Sequence, residues 1–170
     1  QKSCLFDELL SSYKTGLETG NLEFVGYCVK EICQYSYLMG QELNSLEEEI
    51  RAYSNVLANL RQTTTLSYCQ IYSQVVQNLV GKARNPHILL GDACNEEQLL
   101  PIMLEANDVS GLHYFYIHKL ILCYLFQNFS QAIENAAKAE QYLAGGAGFF
   151  TVPVFYFYDS LAAFARSEER

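Results

Sequence analysis

The sequence predicts an all-α fold, a right-handed α-solenoid in which antiparallel helix pairs stack on one another. Segments with a helical pattern begin at Leu22, Leu66, Val109 and Val152, a spacing of roughly 43 residues that lies in the range of helical arrays. Nearly every break between these segments carries a residue that caps a helix or forms a turn. We therefore expect one helical-repeat domain, 1–170, that is a fragment of a longer multidomain protein.

Eight helices are predicted from hydrophobic spacing. The most regular pattern lies between Leu43 and Leu60, where apolar residues recur at steps of three and four and so share one face. The threonine run 63–65 is expected to separate two helices. Pro101 predicts a bend in the fifth helix, or a start near Leu99, because proline lacks a backbone N–H. The predicted helices are 4–18, 22–39, 43–61, 66–82, 96–107, 109–127, 130–144 and 152–167.

The middle six helices are expected to form three pairs, which leaves one unpaired helix at each end. An unpaired end helix would expose apolar side chains, including Phe155 and Phe157, unless flanking sequence covers them. Self-association through these end helices is a further possibility. The predicted pairs are 22–39 with 43–61, 66–82 with 96–107, and 109–127 with 130–144.

Composition narrows the classes of partner. Half of the residues are hydrophobic, and the net charge is −8. An acidic chain is poorly suited to nucleic acid, whose binding depends on Lys and Arg contacts to phosphate. Apolar stretches such as 117–126 are too short to span a bilayer, which takes about 20 residues. We expect a soluble protein that binds no nucleic acid and does not insert into membranes.

The six cysteines lack CxxC spacing and mostly occupy positions of apolar helix residues. A buried thiol behaves as a small hydrophobic group. No signal segment is visible at the start of the sequence. These features favour a reduced, cytoplasmic protein over a secreted one held by disulfides.

Neither a metal site nor a catalytic site is indicated. His113 and His118 are five residues apart on one predicted helix and so lie on different faces, and Cys94 in the long loop 84–95 has no evident partner histidine. The glycine cluster 145–148 is interpreted as a turn, since no strand or phosphate-binding lysine accompanies it. We expect no cofactor, no metal and no catalysis by this segment. The loop 84–95 is interpreted as a variable insertion, and the alternative is a functional or mobile loop.

Four polar residues on the first helices of successive pairs are the predicted partner-binding site. They lie opposite the expected buried stripe, at equivalent positions one repeat apart, where a solenoid presents its inner face. The alternative for these residues is an ordinary solvated face. The predicted contacts are Lys30, Gln34, Gln74 and Asn78.

A second function class follows from the aromatic content. Thirteen tyrosines and ten phenylalanines are present without tryptophan, and many lie between Tyr114 and Tyr158. At helical spacing such rings mostly fill a core. The alternative is a small-molecule-sensing helical domain with an aromatic pocket in 112–158.

Two resemblances refine the fold. The segment 116–143, with YLFQNF at 124–129 followed by Ala132 and Ala139, resembles a degenerate tetratricopeptide repeat, although Leu120 occupies a position where that repeat has a small residue. The fold is thus expected to be TPR-like. Other phrases resemble the helical middle region of large bacterial, often cyanobacterial, signalling ATPases. They are GNLEFVGY at 20–27, NEEQLLP at 95–101, AND at 106–108 and VPVFYFYDSL at 152–161.

That second resemblance implies a function. In those proteins a serine/threonine kinase and a nucleotide-binding ATPase precede the helical region, and a GAF sensor and a histidine kinase follow it. Their catalytic motifs are absent from these residues, so no chemistry carries over. The resemblance implies a non-catalytic interaction or relay module that binds protein segments or neighbouring domains of the same chain.

Overall fold

The all-α class is confirmed. The computed structural model describes residues 4–168, and in that range it contains eight α-helices, one short 3-10 helix and no strand. All eight predicted helices are present, and their ends differ from the predicted ones by at most three residues. The right-handed solenoid stays a prediction. The helices are α1 (Cys4–Thr19), α2 (Leu22–Leu38), α3 (Leu43–Asn59), α4 (Thr63–Leu79), α5 (Glu96–Glu105), α6 (Val109–Leu125), α7 (Phe129–Gln141) and α8 (Thr151–Glu168), with the 3-10 helix at Leu143–Gly146.

The first six helices end in the same way. After each of them, a backbone N–H bonds back to the carbonyl five residues earlier, as in Gln62 to Leu57 at 2.9 Å and Asn128 to Cys123 at 2.8 Å. This bond satisfies a carbonyl that the helix end leaves free, and it requires a preceding residue in the left-handed region. Glycine takes that position after α1, α2 and α4. Three non-glycine residues also adopt it, namely Arg61, Asn107 and Gln127, with φ of 56°, 49° and 62°.

Asn and Asp side chains begin several helices by accepting backbone N–H groups. The Asp108 carboxylate accepts from Gly111 N at 2.9 Å, and the Asn128 amide oxygen accepts from Gln131 N at 3.3 Å. These bonds satisfy donors that the first turn of a helix cannot pair internally. At three junctions, the capping residue directly follows the left-handed residue, so two residues end one helix and begin the next. These pairs are Gly20 with Asn21, Asn107 with Asp108, and Gln127 with Asn128.

One predicted boundary is wrong. The threonine run does not separate helices, because Arg61 and Gln62 already form the turn and α4 begins at Thr63. For the fifth helix the predicted start at residue 96 is confirmed, and the alternative start near Leu99 is wrong. Helix α5 begins at Glu96, since the Asn95 side chain caps it by accepting Glu97 N at 3.0 Å. The helix continues through Pro101. The bend at this proline stays a prediction.

The chain divides into two compact units, residues 1–76 and 77–170, and each is described by itself. In the first unit, α1 packs on α2 and α2 packs on α3. Gly16 allows the close approach of α1 and α2, because a Cβ there would lie 2.7 Å from a Val25 methyl group. The core draws on α2, α3 and α4. It contains Val29, Cys33, Leu46, Ile50, Leu57, Cys69, Tyr72 and Val76.

In the second unit, α6 is the central helix. Every residue from Gly111 to Cys123 is buried, because α5, α7, α8 and the 3-10 helix all pack against it. The predicted small residues of α7 lie in this contact, with Ala132 and Ala139 at 0% exposure. Gly146 passes so close to His113 that a Cβ would overlap the imidazole. The second unit is therefore organised around one helix that is buried along most of its length.

The loop between α4 and α5 is fastened at several points within the second unit. The Asn78 amide donates to Pro86 O at 3.1 Å and to Ile88 O at 2.7 Å. Leu89 N donates to a carboxylate oxygen of Glu96 at 2.6 Å, and Glu96 N donates back to Leu89 O at 2.9 Å. These bonds give the loop backbone the partners that a helix or strand would otherwise supply.

Candidate interaction surfaces

The four residues predicted to form an exposed binding face are buried. Lys30 is 4% exposed, Gln34 and Gln74 are 0% exposed, and Asn78 is 1% exposed. The premise of a solvated face is therefore wrong. The reason is that polar groups on these helices find partners inside the protein, so that their burial does not leave them unsatisfied.

Lys30, Gln34 and Asn78 bond to groups inside the protein. The Tyr72 hydroxyl donates to the Gln34 amide oxygen at 3.1 Å, and the Gln34 amide nitrogen donates to Glu31 at 3.3 Å. Lys30 forms an ion pair with Glu31. Asn78 holds the α4–α5 loop, as described above. These bonds lie within the protein, and the role of all four residues as partner contacts stays a prediction.

Helix α8 presents an exposed face that is almost free of charge. Its opposite side packs on α6 and α7, where Phe155 is 2% exposed and Ala162 is 0% exposed. On the outer side Tyr156, Phe157 and Phe164 are 54%, 59% and 64% exposed. The expectation for Phe157 is confirmed, while that for Phe155 is wrong because this ring turns into the core of the second unit. The other exposed residues of α8 are Pro153, Ser160, Ala163, Ser167 and Glu168.

Sequence reasoning missed the extent of this face, although a signal for it is present. Pro153, Phe157, Ser160, Phe164 and Ser167 follow one another at steps of four, three, four and three. That spacing places them on a single helical stripe. The aromatic residues of this region are numerous enough that sequence alone does not separate the inward stripe from the outward one.

A small polar groove lies between α5, α6 and α7. At its edge Lys119 Nζ bonds to both carboxylate oxygens of Glu96 at 2.9 Å, and Lys138 lies 5.6 Å from the centre of the Tyr116 ring. That ring stacks on Tyr142 at 5.8 Å between ring centres. Burial, with Tyr142 and Glu96 nearby, raises the pKa of Tyr116. Two of the charged residues that line the groove, Lys119 and Glu96, thus neutralise each other.

The groove gives little support to the alternative function, a small-molecule site in an aromatic pocket within 112–158. The groove has a volume of about 190 Å³, below the range of roughly 300–1,000 Å³ that small-molecule pockets occupy. Most rings of the region pack against each other instead, as Tyr124 does edge-on against Tyr158 at 5.7 Å. The rings of Tyr114 and Phe115 are 1% and 2% exposed.

Cys33, Cys94 and His118 are held in uncharged forms. Burial raises the pKa of the Cys94 thiol to about 12, and the Cys69 thiol together with burial holds the pKa of Cys33 well above its usual value. Burial, with His113 as a second cause, lowers the pKa of His118 to about 3. A thiol acts as a nucleophile only when ionised, so these cysteines are not activated at neutral pH.

The described part of the chain carries neither a metal-binding group of side chains nor a membrane-spanning helix. Between residues 4 and 168, no three His, Cys, Asp or Glu side chains are grouped so that they could hold a metal ion. None of the helices in that range is both long and apolar enough to cross a membrane. Comparison of the chain with protein-family models, with curated proteins and with solved structures gives no match.

Proposed function

We propose that this chain is a non-catalytic protein-interaction module that relays signals within a larger signalling kinase or ATPase. It acts in the cytoplasm and binds protein segments or neighbouring domains of the same chain. The observation that carries this proposal is the outer face of α8, where three large aromatic side chains are each more than half exposed. Contiguous exposed apolar surface of this kind marks an interaction site, because leaving it in water is unfavourable.

The charge of the α8 face favours a protein partner. Glu168 is the one charged residue among the exposed side chains of the described part of α8. A nucleic acid or an acidic peptide would need a cluster of positive side chains instead. Aromatic residues with few charges around them are typical of the central part of protein–protein contacts. The resemblance of several sequence phrases to the helical region of signalling ATPases supports the relay role.

The proposal is tested by site-specific photocrosslinking in the native cell. A benzoyl-phenylalanine at position 157 or 164 is expected to capture a protein segment, which mass spectrometry then identifies. The same residue at position 55 serves as control, because Asn55 is exposed on α3 in the first unit. Equal yields at positions 55 and 157 would refute an interaction role for α8. Sequencing the reading frame on both sides then shows whether ATPase and kinase domains accompany the module.

A further inference from the structure

We propose that the α8 face binds the same face of a second copy of this chain. The two α8 helices lie antiparallel, and the two-fold axis crosses the contact at the level of residue 162 along each helix. This inference rests on the proposed interaction role of α8 and names its partner. It derives from the order of large and small side chains on the exposed stripe, from the area of that stripe and from its charge.

The exposed stripe alternates between large and small side chains. Phe157, Ser160, Phe164 and Ser167 occupy it in that order. In an antiparallel pair centred at residue 162, Phe164 lies opposite Ser160 of the partner subunit, and Phe157 lies opposite Ser167 of the partner subunit. Both rings of each copy therefore meet a small residue in a single arrangement. A two-fold contact uses the same patch on both copies, so such a patch must be complementary to itself.

This complementarity is what close helix packing requires. Two helices pack at about 8–10 Å between axes when side chains of one fit into gaps of the other. A serine leaves such a gap, whereas two phenylalanines at the same level would force the helices apart. The backbone of α8 is well placed for this contact, because its inner side is anchored by Phe155 and Ala162.

The exposed area fits a weak dimer. An aromatic side chain buries about 150–250 Å², so rings that are 54–64% exposed offer about 100 Å² each. The two rings of the stripe and the neighbouring Tyr156 ring contribute about 600 Å² in the two copies together. The smaller exposed residues of α8 bring the total to about 1,000 Å². That total lies at the lower limit for specific association, which predicts a dimer that depends on concentration.

The charge distribution on α8 also favours a contact between two copies. Each copy carries a net charge of −8, but Glu168 is the one charged residue among the exposed residues of the described part of α8. Two antiparallel copies can therefore meet on α8 without like charges facing each other, since Glu168 lies opposite Tyr156 of the partner subunit. Their overall repulsion remains and is screened by salt, so raising the ionic strength should strengthen the dimer.

Analytical ultracentrifugation of three variants tests both the dimer and its arrangement. Ser160→Phe places a ring opposite Phe164 of the partner subunit, and we expect about tenfold weaker association, since overpacking a close contact is destabilising. Phe164→Ser leaves a gap and should weaken association to a similar degree. The double variant, Ser160→Phe with Phe164→Ser, restores a large residue opposite a small one. Its dissociation constant should return to within about threefold of the parent value.

The Ser160→Phe variant distinguishes specific pairing of the two helices from non-specific hydrophobic association. On a non-specifically adhesive surface an added exposed ring would tighten association, and that result would overturn the proposed arrangement. Circular dichroism and the melting temperature show that each variant is folded, and Asn55→Phe on α3 is the control for an added surface ring. A chain that stays monomeric at all concentrations overturns the dimer. If photocrosslinks at position 157 then still identify another protein, the interaction role of α8 stands without it.

Discussion

Replacing His118 by glutamine should remove much of the acid sensitivity of the second unit. The imidazole is 1% exposed, and burial lowers its pKa to about 3, from an ordinary value of 6.5. The unfolded chain therefore binds a proton between pH 6.5 and pH 3 that the folded chain does not bind. Stability from the neutral imidazole is fully present above pH 6.5 and is lost as the pH falls through that window.

The magnitude follows from the two pKa values. At pH 5 the unfolded chain lies about 1.5 pH units below its imidazole pKa, and each unit corresponds to about 1.4 kcal/mol. His118 should therefore cost the folded state about 2 kcal/mol between pH 7.5 and pH 5. The variant cannot bind this proton in either state. Its free energy of unfolding should fall by about 2 kcal/mol less than that of the parent chain over the same interval.

Urea unfolding at pH 7.5 and pH 5, followed by far-UV circular dichroism, measures this difference. His87→Gln is the matched comparison, because His87 lies in the α4–α5 loop and is only partly buried. Burial, with Lys119 nearby, lowers the pKa of His87 as well, so this variant should show an effect of the same sign but smaller than that of His118→Gln. In the parent, the His118 ring signals in an NMR titration should not shift between pH 7.5 and pH 5. Parent and His118→Gln chains that lose the same free energy on acidification would refute the assignment of a neutral buried imidazole.

Three further predictions concern the loop, a turn and a thiol. Asn78→Ala removes the amide that donates to Pro86 O and Ile88 O. The free energy of unfolding should fall by about 1–3 kcal/mol, and hydrogen exchange measured by mass spectrometry should become faster at the amides of 86–90. Asn55→Ala is the control. Gln127→Gly should raise stability by about 1 kcal/mol in thermal unfolding, because φ is 62° there and glycine adopts that conformation without strain; an unchanged melting temperature would contradict this. Burial raises the pKa of the Cys94 thiol to about 12, so in the folded chain Cys94 should resist alkylation by iodoacetamide at pH 8, and in urea it should react. Rapid labelling of Cys94 in the folded chain would contradict this, since it would show that the thiol is ionised.

The helices and their junctions could be predicted because the signals for them are local. The alternation at steps of three and four between Leu43 and Leu60 requires only neighbouring residues, and so does the pairing of a left-handed residue with a capping Asn or Asp. Where local reasoning failed, the signal was weak. Arg61 adopts a left-handed conformation that is more typical of glycine. The turn before α4 therefore contains no glycine from which the sequence could predict it.

What only the tertiary structure decided is which face of each helix is covered. The sequence predicts that Lys30, Gln34, Gln74 and Asn78 form a polar stripe that faces water, yet each is at least 96% buried. Gln34 and Asn78 form hydrogen bonds inside the protein. In α8 the reverse holds, since Phe157 and Phe164 are exposed while Phe155 is covered. The sequence by itself determined where the helices begin and end, because hydrogen bonds within a helix and at its caps join residues close in the chain. Burial depends on which distant helices pack against a face, and a buried polar group is stable wherever one of them supplies a partner.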